Sequence, residues 1–380
     1  MKKNCLLWLL VAAMAMTSCQ DEFIKNENKT SDKIGYSVNM TELSSPYRTR
    51  SGEIASSHEV EIDDVNGMID GKQVYLHTIT DMVVPMDIKQ IKSENQPQSR
   101  AAEKTVADVD EIGVTSVVWN GTSWAAASDH RVYMDNVLAE STAFQTNYYW
   151  PAAEEYIRFF AIHPYTDGPK IIADDKKNPK IQWTVPEDVT KQHDILVASN
   201  NYAGDHKATA NLNFAHALTA VQFKLASGLA GVKVTAVRIK GVYYQGTYTY
   251  NFDNCTTKIV DDKTYYLDGG EWEVVMADDK KRDFATTGPA DASTEDEMLI
   301  NGGDKTFMMM PQTLPDGATI EVDITDAHGS ETLTASLKDK VWNKGTKVTY
   351  VLTFNGKDIV VSVGGIPDWS GAGGTINAGF

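Results

Sequence analysis

The chain offers few groups that could do chemistry in concert: three cysteines, eight histidines and 52 acidic residues among 380. None of the spacings that mark a catalytic centre is present. There is no H-E-x-x-H for zinc, no G-x-S-x-G for a nucleophilic serine, no Walker-type phosphate loop and no C-x-x-C pair. The histidines never fall at a metal-ligand spacing within one element, and His163 and His216 read as structural, hydrogen-bonded groups in strand-rich surroundings. The pairs Asp174-Asp175, Asp261-Asp262 and Asp278-Asp279 lack the alternating oxygen ligands of a calcium loop and read as solvated turns. A glycosidase needs two carboxylates facing each other across a cleft, and no such pair is singled out. Met308-Met309-Met310 reads as core, and Ser370-Gly371-Ala372-Gly373-Gly374 as a flexible tail rather than a phosphate cradle. The expectation is a protein that is not an enzyme and uses no metal and no cofactor.

Cys19 is the residue whose position does imply chemistry. Lys2 and Lys3 precede an apolar run from Leu6 to Met16, and Thr17 and Ser18 lead into the cysteine, the layout of a secretory signal. The run is about half of the roughly 20 residues a bilayer-spanning helix needs. A cysteine at the cut resembles the lipobox of bacterial lipoproteins, which implies a diacylated thiol that becomes the new N-terminus and an anchor in the outer membrane. Gln20-Asp21-Glu22 resembles an acidic surface-export signal, with a solvated linker as the alternative. Once Cys5 leaves with the signal and Cys19 carries lipid, Cys255 is the remaining thiol, so no intrachain disulfide forms and stability must come from the core. A net charge of −17 without a basic cluster argues against nucleic acid and against electrostatic adhesion to an anionic membrane.

The elements that follow read as strands and turns. Residues 20–33 are a polar, aperiodic tether. Ile34, Tyr36 and Val38 alternate with small polar residues, the period of a half-buried strand. Val74–Ile79, Asn147–Trp150 and Tyr156–Ile162 are strand candidates, and Asn120-Gly121 between Val117 and Trp124 predicts a tight hairpin. Residues 89–111 read as a surface loop with one short helix. Strand patterns recur from Leu212 to Val363 at about ten-residue spacing, which favours a sandwich over a parallel sheet. The turn at Trp183–Lys191, with Pro186, is the expected domain boundary. It separates an N-terminal β-sandwich over 34–187 from a C-terminal one over 188–380, behind a signal over 1–19.

Several segments together resemble the fimbrillin-like proteins of Bacteroidetes. Asp194-Ile195-Leu196-Val197-Ala198 followed by Phe214-Ala215-His216-Ala217-Leu218 is similar to the family's D-(L/I)-(L/M)-x-A and F-x-H-A-L segments. Tyr149-Trp150-Pro151 with Phe159–Pro164 resembles its YWP and F-x-A-x-x-P portion, and Trp342–Tyr350 its W-x-x-G strand. Ile366-Pro367-Asp368-Trp369 matches the closing D-W. The resemblance implies an all-β chain of two transthyretin-like Greek-key β-sandwich domains in tandem. In it Trp150, Phe159, Phe214, Leu218 and Trp369 fill cores, and His216 hydrogen-bonds the backbone near the domain junction.

The resemblance also implies a role: a stalk, anchor or tip subunit of cell-surface fimbriae that supports adhesion to a host or bacterial ligand. Subunits of that kind are exported as lipoproteins and cut by an arginine-specific surface protease, and the loss of the first strand opens a groove that a strand of another fimbrial subunit fills by β-augmentation. The matching positions here are Arg50, with Arg48 as second choice, and a donor strand carrying Ile359, Val361 and Val363. The alternative is a surface lipoprotein that binds a glycan or host ligand without polymerising, through Tyr243, Tyr244 and Tyr248 as exposed aromatics; these tyrosines alternate with small polar residues of a strand, and cross-strand packing is the reading their pattern favours.

Overall fold

The computed structural model describes residues 33–40, 47–48, 54–55, 59–69, 71–81, 109–121, 123–140, 144–225, 233–251, 256–260, 263–267, 269–291, 306–326 and 329–353. Cys19, Arg50, Cys255, Ile359, Val361, Val363 and Trp369 lie outside them, as does most of the expected 89–111 loop. The strands begin with β1 (Lys33–Met40), β2 (Tyr47–Arg48), β3 (Ile54–Ala55), β4 (Glu59–Ile69), β5 (Lys72–Asp81), β6 (Glu111–Asn120), β7 (Arg131–Glu140), β8 (Gln145–Tyr149) and β9 (Glu155–His163). They continue with β10 (Lys180–Thr184), β11 (Leu196–Ala203), β12 (Ala210–His216), β13 (Thr219–Leu225), β14 (Lys233–Tyr243), β15 (Gln245–Thr249), β16 (Thr256–Val260) and β17 (Lys263–Leu267). β18 (Glu271–Val274), β19 (Lys281–Asp291), β20 (Phe307–Met309), β21 (Gln312–Thr313), β22 (Thr319–Asp326), β23 (Gly329–Ser336), β24 (Val341–Trp342) and β25 (Lys347–Thr353) complete them. The all-β expectation holds.

Two large sheets organise the molecule. The first has the order β7-β6-β9-β11-β12-β1-β8, and the second β19-β14-β22-β23-β4-β5-β25-β13-β20; a small sheet β10-β15-β18 accompanies them. Strand β9 explains why Phe159–Ile162 reads as an unbroken apolar run. Phe159 and Ala161 face a core shared with Ile34, Tyr36, Leu212 and Phe214, whereas Phe160 and Ile162 face the core shared with β14, β22 and β25. A strand buried on both faces has no polar face to show. The second sheet folds over its own core, with Val74, Leu76, Phe223 and Tyr350 packed in one cluster with Val237, Ile239, Val322 and Leu333.

Two expectations need correction. The division at 187/188 does not follow the sheets: β11 and β12 pair into the first sheet, while β4 and β5 pair into the second. The chain therefore crosses between sheets several times, because strand pairing, not chain order, decides which residues share a core. The hairpin at Asn120-Gly121 is not tight. β6 and β7 do pair, but their connection runs from Gly121 to His130. Asn120 binds Asp129 through its backbone N–H at 3.0 Å, and Trp124 lies buried over the Arg158 guanidinium at 3.9 Å.

Candidate functional site

Strand β1 occupies an interior place in the first sheet. It pairs in parallel with β12, Tyr36 opposite Ala210 through Met40 opposite Phe214. On its other edge it meets β8 in an antiparallel ladder that is broken between Lys33 and Gly35. The period-2 pattern decides which side chains enter the core: Ile34 and Tyr36 are buried, and Val38 packs partly buried against the same cluster. The Tyr36 ring sits edge-on to Phe159 at 5.5 Å, and its hydroxyl lies 3.9 Å from the Met134 sulfur. Burial pushes the Tyr36 phenol well above its usual range. The Tyr36 N–H donates to the Phe144 carbonyl at 2.8 Å, and the Thr146 hydroxyl donates to the Ile34 carbonyl at 3.2 Å.

The chain then leaves the first sheet. Its next long strand, β4, belongs to the second sheet. Between them, Tyr47 pairs with Ala55 and Arg48 with Ile54 in the short β2–β3 ladder. Arg48 thus stands in β2, in the crossover from one sheet to the other, and Arg50 lies outside the described residues.

Three of the segments that resembled family motifs, Asp194–Ala198, Phe214–Leu218 and Trp342–Tyr350, meet where the chain crosses between the sheets. Strand β12 ends at His216 and β13 begins at Thr219, with Ala217 and Leu218 buried between them. His216 Nδ1 lies 2.7 Å from Asp194 Oδ2, both side chains essentially inaccessible. A side-chain carboxylate thus stands where a backbone partner was expected for His216, and the place of Asp194 in the D-I-L-V-A segment did not announce it. The Ala217 N–H donates to Ile195 O at 2.8 Å, and the Ala220 N–H to Thr346 O at 3.0 Å. Gly345 donates to Leu218 O at 2.8 Å. It does so with a φ of +67°, left-handed backbone that explains the glycine of the Trp342–Tyr350 segment. Trp150, Phe159, Phe214 and Leu218 are all buried, the first three in the core that holds β1 and Leu218 in the larger one.

The three tyrosines pack as a strand pattern predicts and are not the exposed aromatics that the glycan-binding alternative needs. Tyr243, Tyr244 and Tyr248 are at most 9% accessible. Arg282 covers the Tyr244 ring at 3.9 Å, and Tyr248 is enclosed by Tyr250 and Trp272. The exposed tyrosines among the described residues are Tyr148 and Tyr149 on β8. Among the described residues no cluster of His, Cys, Asp or Glu could hold a metal ion, and no helix is long and apolar enough to cross a membrane.

The sequence profile of the fimbrillin-like family matches residues 99–369, more than half of the chain, and ends on Trp369. The chain belongs to the fimbrillin-like family. That family comprises fimbrial and adhesion proteins rather than enzymes. The match begins after β5, so β1 and the arginine pair of this fimbrillin-like chain precede it. No curated protein matches the sequence. Similar solved structures include a candidate cell adhesion protein of Bacteroides uniformis, at 14% identity over 64% of this chain and 90% of that one, with a TM-score of 0.35. Another, of Bacteroides ovatus, shares 13% identity over 86% and 92% of the two chains, with a TM-score of 0.39.

Proposed function

We propose that this chain is a structural subunit of cell-surface fimbriae in which β1 is a removable strand. The observation that carries the reading is the place of β1: interior to the first sheet, yet joined to the rest of the chain through a crossover into the other sheet that contains Arg48 and Arg50. A cut there separates β1 from β4 and leaves β4 in its own sheet. Withdrawal of β1 strips β12 and β8 of a ladder partner and uncovers Phe159 and Met134, a groove suited to a strand of the same pattern. The sequence contains such a pattern. Ile359-Val360-Val361-Ser362-Val363 repeats the order of Ile34-Gly35-Tyr36-Ser37-Val38, with isoleucine, serine and valine at matching places. In the assembled state the donor's Val361 takes the Tyr36 socket of the next subunit.

On this reading lipid on Cys19 holds the precursor at the outer membrane, an arginine-specific surface protease releases it, and the partners are other fimbrial subunits and an adhesion ligand. The glycan-binding alternative loses the three tyrosines that favoured it, since all are buried. The test is to treat the purified lipid-free precursor with an arginine-specific protease and follow assembly by electron microscopy and non-boiled gel ladders. Cleaved protein is expected to form filaments, and a chain carrying both Arg48→Ala and Arg50→Ala to stay monomeric. Unchanged assembly of the double variant overturns the proposal.

A further inference from the structure

The family motifs explain how the chain crosses between sheets, but not why the crossing is so short and so heavily bonded. Only Ala217 and Leu218 separate β12 from β13, so the two strands form one nearly continuous line from Ala210 to Leu225 that belongs to both sheets. At its start the line is paired in parallel with β1 over five residue pairs. At its end it is paired in parallel with β25 over six, Ala220 opposite Lys347 through Leu225 opposite Leu352. Both ladders are interior: β1 is flanked by β8 on its far edge, and β25 by β5. Their hydrogen bonds are therefore shielded from competing water.

Parallel pairing decides how such ladders respond to pulling. If one strand is pulled at its N-terminal end and its partner at its C-terminal end, every cross-strand bond is strained at once. If both are pulled at the same end, the bonds open one after another. Tension that enters β1 at Lys33 leaves β12 at His216, the first geometry. Tension then enters β13 at Thr219 and leaves β25 at Thr353, again the first geometry. The two-residue crossing has no slack, and it is tied on both sides. His216 bonds Asp194, Ala217 bonds Ile195, Thr219 bonds Asn343 at 2.8 Å through its hydroxyl, and Gly345 bonds Leu218.

We infer that the line Ala210–Leu225, clamped between β1 and β25, is the path along which the folded subunit carries tension. The inference rests on the fimbrial reading for its use, since a strand replacing β1 in the same direction would load the same path, but its mechanics are a property of the single uncleaved chain. The test is single-molecule force spectroscopy on the chain starting after Cys19, with Cys255→Ser and one handle at Thr209→Cys, an exposed position just before β12. The second handle is placed either at the C-terminus, which loads β13 and β25 from opposite ends, or at Asn343→Cys, which loads them from the same end. At equal loading rate the C-terminal handle is expected to need about twice the rupture force or more, because forced unfolding follows the unfolding barrier along the pulled direction. Equal or lower force overturns the inference. Because no cleavage or polymerisation enters this experiment, its failure leaves the assembly test untouched, and a failed assembly test leaves this one standing.

Discussion

Asp194 and His216 show how a motif residue works without doing catalysis. Each side chain is at most 1% exposed, and their bond of 2.7 Å closes the crossing between the sheets from one side. His216→Ala would leave the Asp194 carboxylate without that imidazole partner in apolar surroundings, so unfolding free energy in urea is expected to fall by about 1–3 kcal/mol. A loss below about 0.5 kcal/mol, the size of an ordinary surface change, would show that the pair does not hold the junction. Tyr36 makes a second prediction at this scale. Its phenol is raised well above the ordinary value of 10.0 by burial, so the folded state keeps it neutral where the unfolded chain ionises. The stability this provides is complete below pH 10 and declines as pH rises beyond it, which should expel β1 in alkali. The alkaline loss should be smaller in Tyr36→Phe than in the native chain when both are followed by limited proteolysis; identical profiles would remove Tyr36 from the explanation. Arg158 was not legible at all. It lies in β9 between residues read as a plain strand, and its burial under Trp124 depends on a loop whose path only the fold determines.

At the scale of elements, the alternating pattern at Ile34–Val38 corresponds to β1, because a strand with one buried face writes its period into the sequence, and the β-branched and aromatic run Val74–Ile79 falls within β5. The tight hairpin at Asn120-Gly121 failed because the carboxylate of Asp129 captures Asn120 and the indole of Trp124 finds a buried place, both tertiary gains that outweigh local turn chemistry. The sheet assignment of β4 and β5 was equally hidden: β4 pairs with β23 and β5 with β25, both far away in sequence, and nothing local distinguishes one sheet from another. This separation has a measurable consequence. Tyr36→Ala removes a ring from the first core and is expected to cost about 3–5 kcal/mol, as for other buried aromatics. Hydrogen exchange should then quicken in β8 and β12, which flank β1, while β5 and β25 keep their protection. A uniform loss across all four strands would show that the two sheets open as one unit.

For the whole molecule, interleaved strands and a strongly acidic surface pull in different directions. Interleaving means that no cut within the crossover before β4 removes a strand of the second sheet, so the body that remains keeps that sheet complete. The charge works against bringing such bodies together: each full chain carries a formal −17, so like-charged subunits must approach within a few ångströms to pair strands. Charge repulsion decays over about 30 Å at 0.01 M salt and about 10 Å at 0.1 M, so at low ionic strength the repulsion between two subunits extends well beyond the contact. The strand pairing itself is made of backbone hydrogen bonds and apolar side chains, which salt at these concentrations hardly alters. Salt should therefore change the rate of assembly more than its end point. Cleaved subunits followed by light scattering are expected to assemble several-fold faster at 0.15 M than at 0.01 M sodium chloride, with filaments of equal stability once formed. Faster assembly at the lower salt would mean that attraction between unlike charges guides the subunits together, and the groove would then have to be sought among the basic residues rather than under β1.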